Sequence, residues 1–429
     1  MLVLSPSMNR FTLFIVVVLT SGSCAPDPSS DRGHMADAMV APLDGMGGSL
    51  GSGNASDASL PVPMFAMANT KQLAVRLGKL LWNDPAASGI EERIGTSPSA
   101  DTVRSAAAAM LVDPRGRAGV AAFFRWVLLL DELKTWPKPK GAIDDLVRSS
   151  MMNEAPLFAA HVVFDDDATF DRLFTAPYTM MNEALAAHYG LEGQVKGEQF
   201  VPIPYPNADE RVGVLGGAGV LTLFAGPTEP TWPSRRYGLV SQVAFCTLPF
   251  PYSPMESPFP LGSVDVAALL PSARKGMESY TASKGCQSCH GVINAVGFAF
   301  GRFDTIGKYV PNDASGRINV DADIPNDWGQ PPVVGESLHV NGQRELSFKI
   351  AHLPEARRCL TLRWLQYIQG ADPRLPQRPF DDDVDPLLIY SLEQAHRKFE
   401  ASDANIRSLI LALVETPTFL AETSMPALP

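Results

Sequence analysis

The chain has 429 residues, enough for two to four domains at about 100 to 200 residues each. Hydrophobic residues make up 45% and charged residues 19%, which excludes a wholly disordered chain. Lys and Arg number 35 against 46 Asp and Glu, a formal net charge of -11, and no long basic run occurs, so a nucleic-acid partner is disfavoured.

Export is the first expectation. Asn9 and Arg10 precede an apolar run, Phe11 to Leu19, and small residues then lead to Cys24. A basic end, a short apolar stretch and small residues make a signal peptide over 1–24. The run is too short to span a bilayer, which takes about 20 apolar residues. The Leu19 to Cys24 stretch resembles a bacterial lipoprotein signal, with Cys24 as the lipidation candidate, although Ser21 stands where that signal usually has Leu. An ordinary cleaved signal is the alternative. Residues 25–61 are rich in Ser, Gly, Asp and Ala without periodicity and read as a flexible tether.

A helical domain is expected over 64–191. Gln72 to Trp82, Asp101 to Leu111, Ala118 to Leu133, Ala142 to Val163 and Tyr178 to Tyr189 all read as helices, with Gly190 as a stop. His161 and His188 sit among their apolar faces and read as packing residues. A second domain is expected over 198–325. Its Gly216-Gly217 pair lacks the Gly-Lys-Ser/Thr of a phosphate loop. Arg235 to Phe245 reads as a helix ending at Cys246, and the proline-rich stretch Leu248 to Pro254 as extended loop. Pro271 to Lys284 reads as a helix leading into the motif described next. A third, helical region is expected over 343–419, with helices at Leu360 to Gln369, Val384 to Phe399 and Ala404 to Val414. The acidic run from Asp381 to Asp385 lacks the Gly and distal Glu of a calcium loop and suits a helix start, as does Pro386.

The sharpest signal is Cys286-Gln287-Ser288-Cys289-His290, the C-x-x-C-H pattern of c-type haem attachment. Two thiols three positions apart can each add to one vinyl group of a haem, and the next histidine can offer its imidazole to the iron. Export agrees with this, since haem c is attached outside the cytoplasm. Zinc would need a fourth ligand, and no second C-x-x-C exists. A thioredoxin-like pair would need a βαβ surround. A disulfide within the motif, redox or structural, stays open. Met255, Met277, Met425, His339, His352 and His396 are the residues from which a sixth iron ligand would come, and none has a selecting signature; a five-coordinate iron, with room for a small ligand or peroxide, is the alternative. With Cys24 assigned to lipid and the motif to haem, Cys246 and Cys359 remain as a candidate disulfide or as two buried thiols.

The chain resembles exported bacterial proteins known mainly as tandem domains of unknown function, common in planctomycetes and myxobacteria. Arg76 to Trp82, Leu111 to Arg115, Phe123 to Trp126, Leu173 to Tyr178, Asn182-Glu183 and His188-Tyr189-Gly190 carry the first part of the resemblance. Arg211, Gly213, Thr222, Arg235 to Gly238, Cys246, the C-x-x-C-H segment, Gly297, Phe303-Asp304, Ile306-Gly307 and Tyr309 carry the second. Arg358-Cys359, Trp364 and Tyr367 carry the third. Relatives usually have Asp-Pro where this chain has Asn294-Ala295, and many have a histidine near Phe224 and Gly226, where this chain has none. The resemblance implies a cytochrome c-like character without an established reaction.

The combined expectation is a mainly α, exported protein of the periplasm or outer membrane, held by a lipid anchor. It would carry one haem c on Cys286, Cys289 and His290 and exchange electrons with a redox partner protein. A haem-dependent oxidoreductase, and a non-haem structural or surface-binding protein with a C-x-x-C disulfide, are the rivals. No catalytic residue is selected by the sequence.

Overall fold

Asn69 and Gln72 close a reciprocal side-chain cap on the first helix, α1, Thr70–Leu77. The computed structural model describes residues 63–138, 141–226, 232–246, 272–282, 284–325, 337–374 and 385–422. The signal, the tether, Cys24, Met255 and Met425 lie outside the described residues. Among those that are described, no helix is long and apolar enough to cross a membrane.

α1 winds on into a wider turn, Gly78–Trp82, which ends at left-handed Asn83. α2 is Ile90–Ile94, α3 is Ala100–Leu111 and α4 is Gly116–Val127. The continuous helix expected from Ala118 to Leu133 is corrected here. Leu129 adopts a φ of 56°, and the chain resumes as a tight turn, Leu130–Lys134. α5, Asp145–Asp165, is buried on most sides, which marks it as the central helix. It packs against α4.

α6, Phe170–Thr175, precedes a second correction. Tyr178 to Tyr189 is not one helix. Tyr178–Met181 forms β1, paired antiparallel with β2, Val201–Pro204. Pro177 disfavours helix in the residue before it, and Tyr178 and Thr179 suit a pleated backbone. Helix begins only at Asn182, whose side chain accepts from Leu185 N to start α7, Glu183–His188.

α8 is Ala218–Leu223, and α9 is Pro233–Ala244. α10, Ala273–Tyr280, and α11, Lys284–Phe298, follow. Two short antiparallel pairs come next: β3, Asn312–Asp313, with β4, Gly316–Arg317; and β5, Asp321–Ile324, with β6, Leu338–Asn341. The chain ends in α12, Gly342–Ala351; α13, Pro354–Ile368; α14, Pro386–Glu400; α15, Ile406–Leu413; and α16, Pro417–Leu420. Asp385 caps α14, with Pro386 in its first turn. The fold is mainly α with only short two-stranded sheets.

One continuous apolar core runs from Ala68 to Leu420. Its two ends meet where the buried Arg76 guanidinium donates to the carbonyls of Phe419 and Ala421 at 2.6 and 2.8 Å. Trp364 of α13 stacks on Phe123 of α4, ring centroids 3.7 Å apart. A disulfide joins Cys246, just past α9, to Cys359 in α13, with Cα atoms 5.3 Å apart.

Candidate functional site

Positions 286, 289 and 290 fall in the first turns of α11, at i, i+3 and i+4, and so share one helix face. The side chains of Cys286 and Cys289 lie outside the described residues. His290 is half-buried, and its Nδ1 lies 3.3 Å from Asn294 Oδ1 one turn later. Asn294 Nδ2 donates to Thr281 Oγ1 at 2.8 Å, and Thr281 donates to the carbonyl of Met277 at 2.8 Å. Thr281 and Asn294 are both buried. Gln287 Nε2 donates to the carbonyl of Thr281 at 2.6 Å, so the turn between α10 and α11 is held from both sides.

The far end of α11 is seated on α9. Gly297 lies against Pro233, where an added Cβ would come 2.4 Å from the Pro233 Cα. Pro233 occupies the first turn of α9, and the absence of a side chain at Gly297 is what lets α11 sit this close. Gly297→Ala is therefore expected to lower stability by about 1 to 3 kcal/mol through overpacking. Urea unfolding of the two proteins checks this, and equal midpoints would mean that α11 can slide without cost.

Beyond α11 the chain turns through Phe303 to Tyr309, and four successive carbonyls in that turn each meet a basic side chain. Arg236 Nη2 donates to Asp304 O at 3.1 Å, and Lys138 Nζ to Thr305 O at 2.6 Å. His188 Nε2 lies 2.9 Å from Ile306 O, and Arg211 Nη2 donates to Gly307 O at 2.6 Å. Gly307 has a φ of 72°, and a Cβ there would lie 2.8 Å from Ala218, so both the turn and the close approach require glycine. Glu210 adds an ion cluster at the edge of the turn, taking Arg302 at 2.7 Å and Arg317 at 2.6 Å.

Arg211 is fully buried, with its guanidinium 4.6 Å from the Phe303 ring centre and 4.8 Å from that of Tyr189. Near it lies Glu154 of α5, also fully buried. Burial pushes the Glu154 carboxyl above the usual range, while the Tyr189 hydroxyl, the Gly219 N–H and the charge of Arg211 pull it back. The Tyr189 bond, at 2.5 Å, ties α5 to the end of α7, and the Gly219 bond, at 3.2 Å, ties it to the start of α8.

Since a carbonyl can only accept, His188 must donate through Nε2 to Ile306. Burial pushes its imidazole down to about 4, the bond to Ile306 working in the opposite direction. The sign follows. The unfolded chain takes up a proton near the ordinary value of 6.5, which the folded chain refuses until about 4. Stability from this residue is present above pH 6.5 and is lost as pH falls through that window. The loss is at most about 3 kcal/mol. His188→Asn should flatten this part of the stability profile, as urea midpoints across the window would show; a parallel profile in the variant would exclude His188 as its source.

The other sequence-selected residues lie elsewhere. His161 Nδ1 sits 3.0 Å from Asp165. His339 on β6 is exposed and 2.9 Å from Asp323, a carboxylate that raises its pKa. His352 is exposed at the end of α12, with Nδ1 2.7 Å from Phe348 O. His396 is half-buried on α14, and burial lowers its pKa. Met277 is buried on α10. Among the described residues, no three His, Cys, Asp or Glu side chains converge as a metal site. Asn294 entered the sequence reading only as a departure from relatives, and neither Thr281 nor Lys138 carried any signal. Both work through contacts that only the folded chain creates.

Residues 69–191 match a family model named PSD4, described as a protein of unknown function (DUF1592). Residues 211–313 match a second, PSCyt3, also described as a protein of unknown function (DUF1588). The chain carries these two domains of unknown function in tandem. No curated protein and no solved structure matches the chain. The pinned turn lies in the second domain of the tandem, and it is gripped by Lys138 and His188 of the first and by Arg211 and Arg236 of the second.

Proposed function

We propose that the chain is an exported c-type haem-binding protein that transfers electrons to or from a partner protein. The observation that carries this reading is the donor set at the start of α11. Two cysteines and a histidine share one helix face, and the histidine ring is held through Nδ1. That set fits haem c, since thioethers need two thiols at this spacing and the iron needs an imidazole beside them. Cys286 and Cys289 would hold the porphyrin, and His290 would face the iron. When bound, the haem supplies a one-electron couple.

The chain's own residues then have plain tasks. Asn294 and Thr281 hold the His290 ring. Gly297 lets α11 rest on α9. The pinned turn at 304–307 fixes the other end of the motif helix. Cys24, as a lipid anchor, would keep the protein at a membrane surface in the periplasm or outer membrane.

The test is an absorption spectrum of the full chain made in a host with cytochrome c maturation, with haem staining of a denaturing gel. A sharp Soret band and retained stain are expected, with both lost in Cys286→Ala/Cys289→Ala. A colourless, folded protein would overturn the haem reading and leave the motif as a disulfide or a metal site.

A further inference from the structure

Met277 O, Thr281, Asn294 and His290 form a chain of hydrogen bonds whose direction is decided at one end. The Met277 carbonyl can only accept, so the bond of 2.8 Å from Thr281 Oγ1 uses the hydroxyl proton. Thr281 Oγ1 can then only accept from Asn294, so the amide NH2 faces it at 2.8 Å. Asn294 Oδ1 is left facing His290 at 3.3 Å. A carbonyl oxygen there requires a proton on His290 Nδ1. The neutral ring therefore keeps its lone pair on Nε2. Turning the amide over would set its carbonyl oxygen against a hydroxyl oxygen whose proton is already given to Met277 O. Thr281 is fully buried and Asn294 is 6% exposed, so water is poorly placed to repair such a mismatch.

We propose that Asn294, oriented by Thr281, is a positioning residue that locks His290 in the Nδ1–H tautomer and presents Nε2 as the metal-binding atom. The link to haem rests on the function proposed above, but the tautomer does not. A metal-bound histidine generally donates its other ring N–H to a partner that orients it and raises its basicity. Here that partner is a side-chain amide whose own direction is set two residues away, at a backbone carbonyl. The relay crosses from α11 to the end of α10, so the tautomer is tied to the packing of the two helices. The identity of residue 294 would then tune the iron. A charged acceptor at that position makes the imidazole a stronger donor, and an apolar residue leaves its N–H without a partner.

Two measurements test this, one of them independent of haem. In the apo full chain, labelled with 15N-histidine and held at alkaline pH so that the ring is neutral, ring nitrogen shifts report the tautomer. Wild type is expected to show His290 as Nδ1–H. Asn294→Leu and Thr281→Val should each move it toward the Nε2–H form that an unconstrained histidine favours. An Nε2–H ring in wild type, or one unmoved in both variants, overturns the proposal. In the haem-loaded protein, the midpoint potential should fall in Asn294→Asp and rise in Asn294→Leu. Equal potentials in all three would also overturn it. If no haem is attached, the function proposed above fails, while the apo spectra still decide the tautomer.

Discussion

Arg211→Met is expected to cost about 3 to 5 kcal/mol of folding stability, because it strips the compensating cation from a buried carboxylate. Arg211 is fully buried, donates to Gly307 O at 2.6 Å and lies among the rings of Tyr189, Tyr205 and Phe303. Its Nε and Nη1 have no hydrogen-bond acceptor among the described residues, so the aromatic faces supply their surroundings. Methionine fills similar volume, which isolates the loss of charge from a loss of packing. Glu154 is the group left behind. Its carboxyl is already pushed upward by burial, and losing Arg211 pushes it further.

A group whose folded pKa is raised contributes stability below its unfolded value and loses it as pH rises through the folded one. The penalty in Arg211→Met should therefore be smallest in acid and grow toward neutral pH. Adding Glu154→Gln should recover about 1 to 3 kcal/mol as a coupling between the two sites. Chemical denaturation of the four proteins of this cycle measures it. Additive effects would mean that the cation and the carboxylate do not sense one another.

Loss of the Cys246–Cys359 disulfide should cost about 4 kcal/mol, within the 2 to 5 kcal/mol typical of such losses. The bond closes a separation of 113 residues. Much of that cost lies in the unfolded chain, which gains freedom once the link is gone. It also has a local part. The bond joins the end of α9 to α13, beside Arg363, which is buried deeply enough to bring its pKa down to about 10. Arg363 Nη2 donates to Gln242 O at 3.3 Å, so α9 and α13 keep one direct tie without the disulfide. Cys246→Ser/Cys359→Ser should therefore fold, with a lowered urea midpoint. A midpoint unchanged from that of the oxidised wild type would show that the bond constrains nothing the core does not already hold. Since α9 also carries α11 through Pro233 and Gly297, the haem reading proposed above predicts weaker attachment in the same variant.

The mainly α class and most helices were legible in the residues because both depend on short-range periodicity and capping. Asn69, Ser99, Asn182 and Asn405 each cap the helix that follows. The exceptions have local causes that periodicity does not see. Tyr178 to Met181 satisfies a helical pattern equally well, but Val201 to Pro204 offers it a strand partner twenty residues later. Leu129 breaks a helix because its backbone turns left-handed, which no apolar count reveals.

The C-x-x-C-H pattern at 286–290 is visible in the sequence because it is a spacing along the chain, and the structure places those positions on one helix face. The sequence by itself also determined that Asn stands at 294, without saying what it does there. Only the tertiary structure brings Asn294 against Thr281 from the end of another helix, the contact on which the proposed His290 tautomer rests. The same holds for Lys138, His188, Arg211 and Arg236, which come from four parts of the chain to meet four consecutive carbonyls. Spacing along one helix is written in order along the chain. Contacts between helices depend on where packing brings separate elements together, and a linear pattern carries no record of that distance.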